Sequence, residues 1–297
     1  MNQLQLLAAT RILEHTMPVT SRRILIYGAI TLALLFAVLA GAGTFFGLAS
    51  LSDNPGFWGQ IGAIVGLIAA LYGLKAARPL LFYHIELMQW AAVTKRAEGE
   101  SLPAGKEQLE FLRTQVQALF PDAKAAFSLR RRLQQAVCAF VLQLPPSSRL
   151  NVFPEALGNA LAAILAGFGA DALIAAILHQ GKLSAWRRAL AAFCQHYPVV
   201  FRNILLSKAF MYLMLLIAFW LMLKPVGWVD EALPTDMGIW KYVFAAILTY
   251  WIKTAFLNPI VTTALILTLI PLAKEADEAV LEEWQPRIPV LSQLPAD

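Results

Sequence analysis

Charge is scarce in this chain of 297 residues: Asp, Glu, Lys and Arg make up 14% of it, against roughly a quarter of a typical soluble domain. So few ionic groups, beside 59% hydrophobic residues, cannot build a surface that faces water everywhere, so much of the exterior is expected to meet lipid. Cysteine is scarcer still. Cys138 and Cys194 have neither metal-ligand spacing nor a CxxC arrangement, which excludes a disulfide framework and leaves each as a small apolar packing residue. Histidine is sparse as well, and His15, His84, His179 and His196 form no HExxH motif. Ser147 and Ser148 lack a GxSxG turn, and no phosphate-binding loop or dinucleotide fingerprint occurs; Gly167-Phe168-Gly169 is only half of one, inside an apolar run. The chain is therefore read as no enzyme, with no catalytic residues, metal or cofactor; Glu86 and His84 come nearest to a site, for lipid chemistry at an interface. The net charge of +5 comes with no stripe of basic and aromatic residues, so nucleic acid is not an expected partner.

Long uncharged runs are what the sequence does have. Residues 240–272 span 33 positions with only Lys241 and Lys253 charged. As one straight helix they extend about 50 Å, beyond a ~30 Å hydrocarbon core, so the segment has to tilt, bend at Pro259 or protrude. Ile24 to Leu51 carries no charge and follows Arg22 and Arg23. Ala40-Gly41-Ala42 looks like a cleavage site, but the run is longer and starts later than a signal core of about 7–15 residues, which predicts a retained first span. Ile24–Ser50 and Trp58–Leu74 are expected to form a helical hairpin joined at Asn54-Pro55-Gly56. Ala37, Gly41, Gly43 and Gly47 in one helix, and Gly59, Gly62, Gly66 and Gly73 in the other, recur at spacings that let backbones approach.

Residues 75–149 hold eleven Lys and Arg and read as cytoplasmic. Within them Leu80–Val93 predicts an amphipathic interfacial helix with His84 and Glu86 turned to water. Lys106–Leu119 predicts a polar helix ended by Pro121, and Ala123–Leu144 a helix that starts basic and turns apolar before Pro145-Pro146. Leu150–Gln180 admits two readings. It is either a re-entrant hairpin with Gly167-Phe168-Gly169 at its apex, or, preferred, a helix running through both glycines after Leu133–Leu144 has crossed. Residues 183–198 predict a short amphipathic helix with Trp186 and Tyr197 as interface anchors and Pro198 as its end; Ile204–Leu223 predicts a span, and the acidic stretch 224–241 an outside loop.

The basic residues number three before the first span, eleven in 75–149, five in 181–208 and two in the tail, against none and two in the outside loops. Both termini are therefore expected in the cytoplasm of a bacterial-type inner membrane. The expected fold class is all-α: a polytopic transmembrane helical bundle of about 5–6 membrane segments with amphipathic interfacial helices. Its divisions are an N-terminal segment and hairpin at 1–75, a cytoplasmic or interfacial helical segment at 76–149, a C-terminal membrane bundle at 150–272 and a cytoplasmic tail at 273–297.

Two ionisable groups fall at predicted membrane depth, Asp171 after the glycine pair and Lys253 within the last run. Each costs about 2.5–3.5 kcal/mol if left charged toward lipid, so each is expected to face the bundle interior, and a mutual ion pair offsets much of that cost. The site expectation is a polar path lined by Asp171 and Lys253, with Asn159, Asn258, Thr262 and Thr263 as further polar groups; a structural lock between the two charges, or a shallower, snorkelling Lys253, are the alternatives.

His196-Tyr-Pro-Val-Val-Phe-Arg202-Asn203, then a span, an outside loop and Tyr250-Trp-Ile-Lys-Thr-Ala-Phe256-Leu257, give the last third a layout that resembles the choline-transporter-like membrane family. The likeness covers about 80 residues and rests on the arginine-asparagine boundary and the tyrosine-containing final helix, without that helix's acidic and cysteine positions. It implies transport and no choline specificity. The functional expectation is a transporter- or channel-like protein passing or sensing a small solute or ion; the alternative is a non-catalytic subunit or scaffold of a larger membrane complex. Partners are the lipid bilayer and further copies of the chain or other membrane proteins.

Overall fold

A computed structural model of the chain describes residues 5–77, 83–143, 155–232 and 236–295, apart from the side chains at 155–157 and 160. Arg78, the start of the helix expected from Leu80, the Pro145-Pro146 break, Ser147, Ser148 and Arg149 lie outside the described residues. The described chain is helical, with no strand: α1 Leu6–His15, α2 Met17–Leu48, α3 Pro55–Ala77, α4 Tyr83–Ala97, α5 Gly105–Leu119, α6 Ala123–Gln143, α7 Glu155–Gln180, α8 Ala185–Gln195, α9 Tyr197–Ala232 and α10 Trp240–Ile252. A π turn over Lys253–Leu257 leads into α11 Asn258–Glu275, followed by α12 Val280–Trp284 and a short 3-10 turn at Pro289–Gln293.

Five of these helices are long and apolar enough to cross a membrane: Met17–Leu48, Pro55–Ala77, Leu161–Gln180, Tyr197–Ala232 and the run Trp240–Glu275. They mark a membrane protein of the expected class, in which backbone polar groups are satisfied within each segment. Helix α6, with Arg130, Arg131 and Arg132 in its middle, does not join that set, so the expected sixth crossing at Leu133–Leu144 finds no support.

The residues sort into two compact units, 21–82 with 211–258, and 1–20 with 83–210 and 259–297. In the first of these units α2 and α3 form the expected hairpin. Its turn works as a cap: Asn54 Oδ1 accepts a hydrogen bond from the Phe57 N–H at 3.1 Å, and Pro55 opens α3, where its missing N–H costs nothing. A Cβ added to Gly41 would lie 2.2 Å from the Gly62 carbonyl oxygen, one on Gly62 2.2 Å from that of Gly41, and one on Gly66 2.2 Å from that of Ala37. Gly43, Gly47 and Gly73 meet nothing within 4 Å, so the close approach uses only part of the predicted glycine pattern. Leu34, Val38, Ala63 and Ile247 bury themselves beside this crossing.

Helix α9 continues through Pro225 to Ala232, so residues 224–232 are helical where a loop was expected. Pro225, Val226 and Val229 line a groove together with Leu35, Phe244 and Leu248, and the helix runs on through the proline despite the lost hydrogen bond. Pro198 does not end the preceding helix either. Helix α8 stops at Gln195, and Pro198 stands in the first turn of α9, where its fixed φ suits a helix start. Pro259 stands at the start of α11, just after the π turn, whose wider spiral relieves the clash between the proline ring and the carbonyl four residues back.

The second unit is centred on α7, with α4, α6 and α8 packed on it. Leu173, Ile174, Ala175 and Ile177 are fully buried there. Helix α7 runs through Gly167 and Gly169, as the preferred reading has it and without a re-entrant break, and Gly169 serves packing. A Cβ on Gly169 would come within 3.1 Å of Phe193 and 3.2 Å of Val137, so the bare backbone admits α8 and α6 closely while the helix continues. Helix α4 is another correction. It is buried from Ile85 to Thr94 rather than amphipathic at an interface, and Glu86 and Gln89 are inside. Gln89 Nε2 donates to Thr16 Oγ1 at 3.1 Å, so the N-terminal turns satisfy a polar group that the local pattern turns to water.

Trp186 is buried too, and its Nε1 donates to the Pro295 carbonyl at 2.8 Å, which removes it as an interface anchor. The same tail receives Arg132 Nη1 on the Gln293 carbonyl (3.0 Å), Gln143 Nε2 on that of Arg287 (2.9 Å) and Gln195 Nε2 on that of Asp277 (3.2 Å). Trp284 packs edge-on to Phe140 at 4.7 Å between ring centroids.

Candidate functional site

The two charges expected to meet have different surroundings. Asp171 accepts a hydrogen bond from Arg130 Nε in an ion pair whose side chains are only 13% (Arg130) and 14% (Asp171) exposed. Arg130 further donates to Gln134 Oε1 and to the Gly167 carbonyl, each at 3.3 Å. Burial alone pulls the guanidinium down, but the Asp171 carboxylate, by charge and by hydrogen bond, outweighs it and holds Arg130 above its usual range; Tyr83 and Glu86 add to this. The partner of Asp171 is thus Arg130 of α6, in place of the expected Lys253.

Arg130 escaped the sequence reading because the run Arg130-Arg131-Arg132 resembles a solvated basic face. Its position gave a signal all the same. Arg130 stands four residues after Ala126, three before Leu133 and seven before Val137, all buried, whereas Arg131 and Arg132 fall on the exposed side.

Lys253 opens the π turn at the end of α10 and has no hydrogen-bond or ion-pair partner among the described residues. It borders an apolar groove of about 390 Å³ that also includes Leu216, Phe219 and Ala246. Next to it, Arg23 Nε donates to the Thr254 carbonyl at 3.0 Å, and Trp251 Nε1 to the Ile24 carbonyl at 3.3 Å. Lys253 is therefore level with the residues where the charge-free run of α2 begins, and not with the middle of that run.

The remaining predicted residues divide likewise. Asn159 is exposed on α7, and Thr262 and Thr263 are buried in α11, all in the unit of Asp171. Asn258 belongs to the unit of Lys253, and its buried Oδ1 has no hydrogen-bond partner among the described residues. A buried polar pair that the site prediction did not include lies one turn apart on α9: Asn203, through both amide atoms, and Ser207 have no hydrogen-bond partner among the described residues. Among those residues no three His, Cys, Asp or Glu side chains gather as metal ligands.

Both cysteines are free thiols, and burial pushes Cys138 up and Cys194 up to about 12. A thiol near 12 is thiolate in about one part in ten thousand at pH 8, and only the thiolate is a nucleophile. Iodoacetamide is therefore expected to label Cys194 at least about a hundredfold more slowly in the native protein than in the unfolded chain at pH 8. The native rate should rise about tenfold per pH unit below the thiol's pKa. Peptide mass spectrometry reads both rates, and equal labelling of the two states contradicts the expectation.

Comparison with protein-family models, with curated proteins and with solved structures returns no match for this chain.

Proposed function

We propose that this multi-pass helical protein is a non-catalytic subunit or scaffold of a bacterial-type inner membrane, with both termini in the cytoplasm; that placement needs an even number of crossings, so α7, the most buried of the five candidate helices, stays inside the protein and the other four cross. One observation carries the reading: Asp171, the acid expected to line a path, is neutralised by Arg130 within a junction of α6 and α7. A carboxylate held by a guanidinium that also grips Gln134 and a backbone carbonyl joins helices and offers little to a passing ion.

The outward surface supports the same reading. Leu25, Phe36, Tyr72 and Trp220 are among many large apolar side chains left exposed, a surface that suits lipid or the spans of other membrane proteins. Trp58 and Trp228, exposed near the helix ends that flank the two outside connections, suit a headgroup boundary, and the excess of Lys and Arg on the other side supports cytoplasmic termini.

The test is the purified full-length protein in proteoliposomes. Release of potassium, protons or glycerol is expected to stay at the rate of empty vesicles, and cross-linking in native membranes is expected to give a discrete complex larger than the monomer. A flux that Asn203→Leu abolishes overturns the scaffold reading. It favours a second one, a polar solute or ion route, which the unpartnered Asn203 and Ser207 support. The choline-transporter-like resemblance of the last third points to that second reading as well.

A further inference from the structure

Two stripes of side chains face each other across the groove at Lys253. On α9, Tyr212, Leu215, Leu216 and Phe219 follow the spacing i, i+3, i+4, i+7; Ala246, Thr249 and Tyr250 of α10 with Lys253 of the π turn do the same. Each stripe covers two turns, so the groove is about 10 Å long. Ala246 and Thr249 have short side chains, and this gives the groove its depth. The helices are consecutive and run in opposite directions, which sets Tyr212 and Lys253 at one end and Phe219 and Ala246 at the other.

The two ends differ in chemistry. Toward Phe219 and Ala246 the walls are hydrocarbon. At the other end stands Lys253, a cation that lacks an anion among the described residues. That end is tied through Thr254 and Trp251 to Arg23 and Ile24, the boundary between the basic start of α2 and its charge-free run. An ammonium group at the edge of an apolar slot calls for an anion attached to an alkyl chain.

We propose that this groove binds one anionic glycerophospholipid, with its phosphate on Lys253 and an acyl chain lying between Leu216, Phe219 and Ala246. The π turn that begins at Lys253 contributes by taking one extra residue into the spiral and re-aiming the side chains around it. The proposal rests on the helices lying in a bilayer and on neither functional reading above, so its failure leaves both of those standing.

Native mass spectrometry of the delipidated full-length protein, titrated with phosphatidylglycerol or phosphatidylcholine of matched chains, tests it. Phosphatidylglycerol is expected to bind about fivefold or more tightly than phosphatidylcholine. Lys253→Gln should erase that preference and Lys253→Arg keep it, while Ala246→Leu, which fills the slot, should weaken both lipids. Ala246→Leu still decides the matter if Lys253→Gln does not fold. Excess glycerol 3-phosphate is expected to leave the lipid bound. Unchanged phosphatidylglycerol binding by folded Lys253→Gln, or by Ala246→Leu, overturns the proposal. So does displacement by glycerol 3-phosphate, which makes a free anion the ligand, or efficient disulfide dimerisation of Tyr212→Cys in native membranes, which makes a second copy the occupant.

Discussion

Gly62→Val is expected to prevent the α2–α3 hairpin from closing. The new Cβ meets the Gly41 carbonyl oxygen at 2.2 Å and Phe45 Cβ at 2.6 Å. A side chain can rotate away, but a carbonyl inside a helix cannot do so without breaking its own hydrogen bond. Small-to-large changes in packed interiors cost about 1–3 kcal/mol when side chains give way, and this one forces two backbones apart, so a loss above about 3 kcal/mol is expected. Thermal unfolding in detergent should show a midpoint several degrees lower, or no folded protein at all. Gly43→Val and Gly73→Val supply the contrast: they sit on the same two helices with nothing within 4 Å of an added Cβ, and their midpoints should stay near that of the wild type. Equal damage from all three substitutions contradicts the crossing geometry, because helix propensity alone treats them alike.

The second large effect is expected at the ion pair. Arg130→Met leaves the Asp171 carboxylate 14% exposed beside apolar α6 and α7, and removing one partner of such a pair costs on the order of 3 kcal/mol. Asp171→Asn strands the guanidinium in the same way. Together the two substitutions should cost clearly less than the sum of the singles, since neither charge remains to be compensated. Asp171→Asn with Lys253→Met should instead be additive within about 0.5 kcal/mol. Coupling between positions 171 and 253 as large as that between 171 and 130 reverses the assignment.

The spans of the hairpin were legible because a long charge-free run admits few folded states other than a membrane helix, and because Asn54-Pro55 marks a helix start in its chemistry. What stayed hidden depended on partners far along the chain. Glu86 read as water-facing, yet it is buried on α4, the helix whose Gln89 meets the hydroxyls of Thr16 and Thr20. Arg130 disappeared into a basic run whose other members are solvated, though its spacing to Leu133 and Val137 placed it inward. Asp171 was legible as a buried charge, but no local rule chose Arg130 over Lys253 as its partner. The surroundings of Lys253 stayed hidden for a related reason. Position within a run of 33 residues says little about height in a bilayer until Arg23 and Ile24 are found alongside. The helix through the glycines of α7 is the preferred reading and is what forms; what stayed hidden was that Gly169 admits Phe193 and Val137.

The C-terminal clasp has an asymmetry of its own. Four side-chain donors, Arg132, Gln143, Trp186 and Gln195, reach a main-chain carbonyl of the tail, an oxygen each residue presents whatever its side chain is, whereas Arg187 and Arg188 depend on the carboxylate of Glu278. At Asp277, Arg287, Gln293 and Pro295 the tail's identity can therefore drift without loosening these four bonds, whereas a change at any donor cuts one of them.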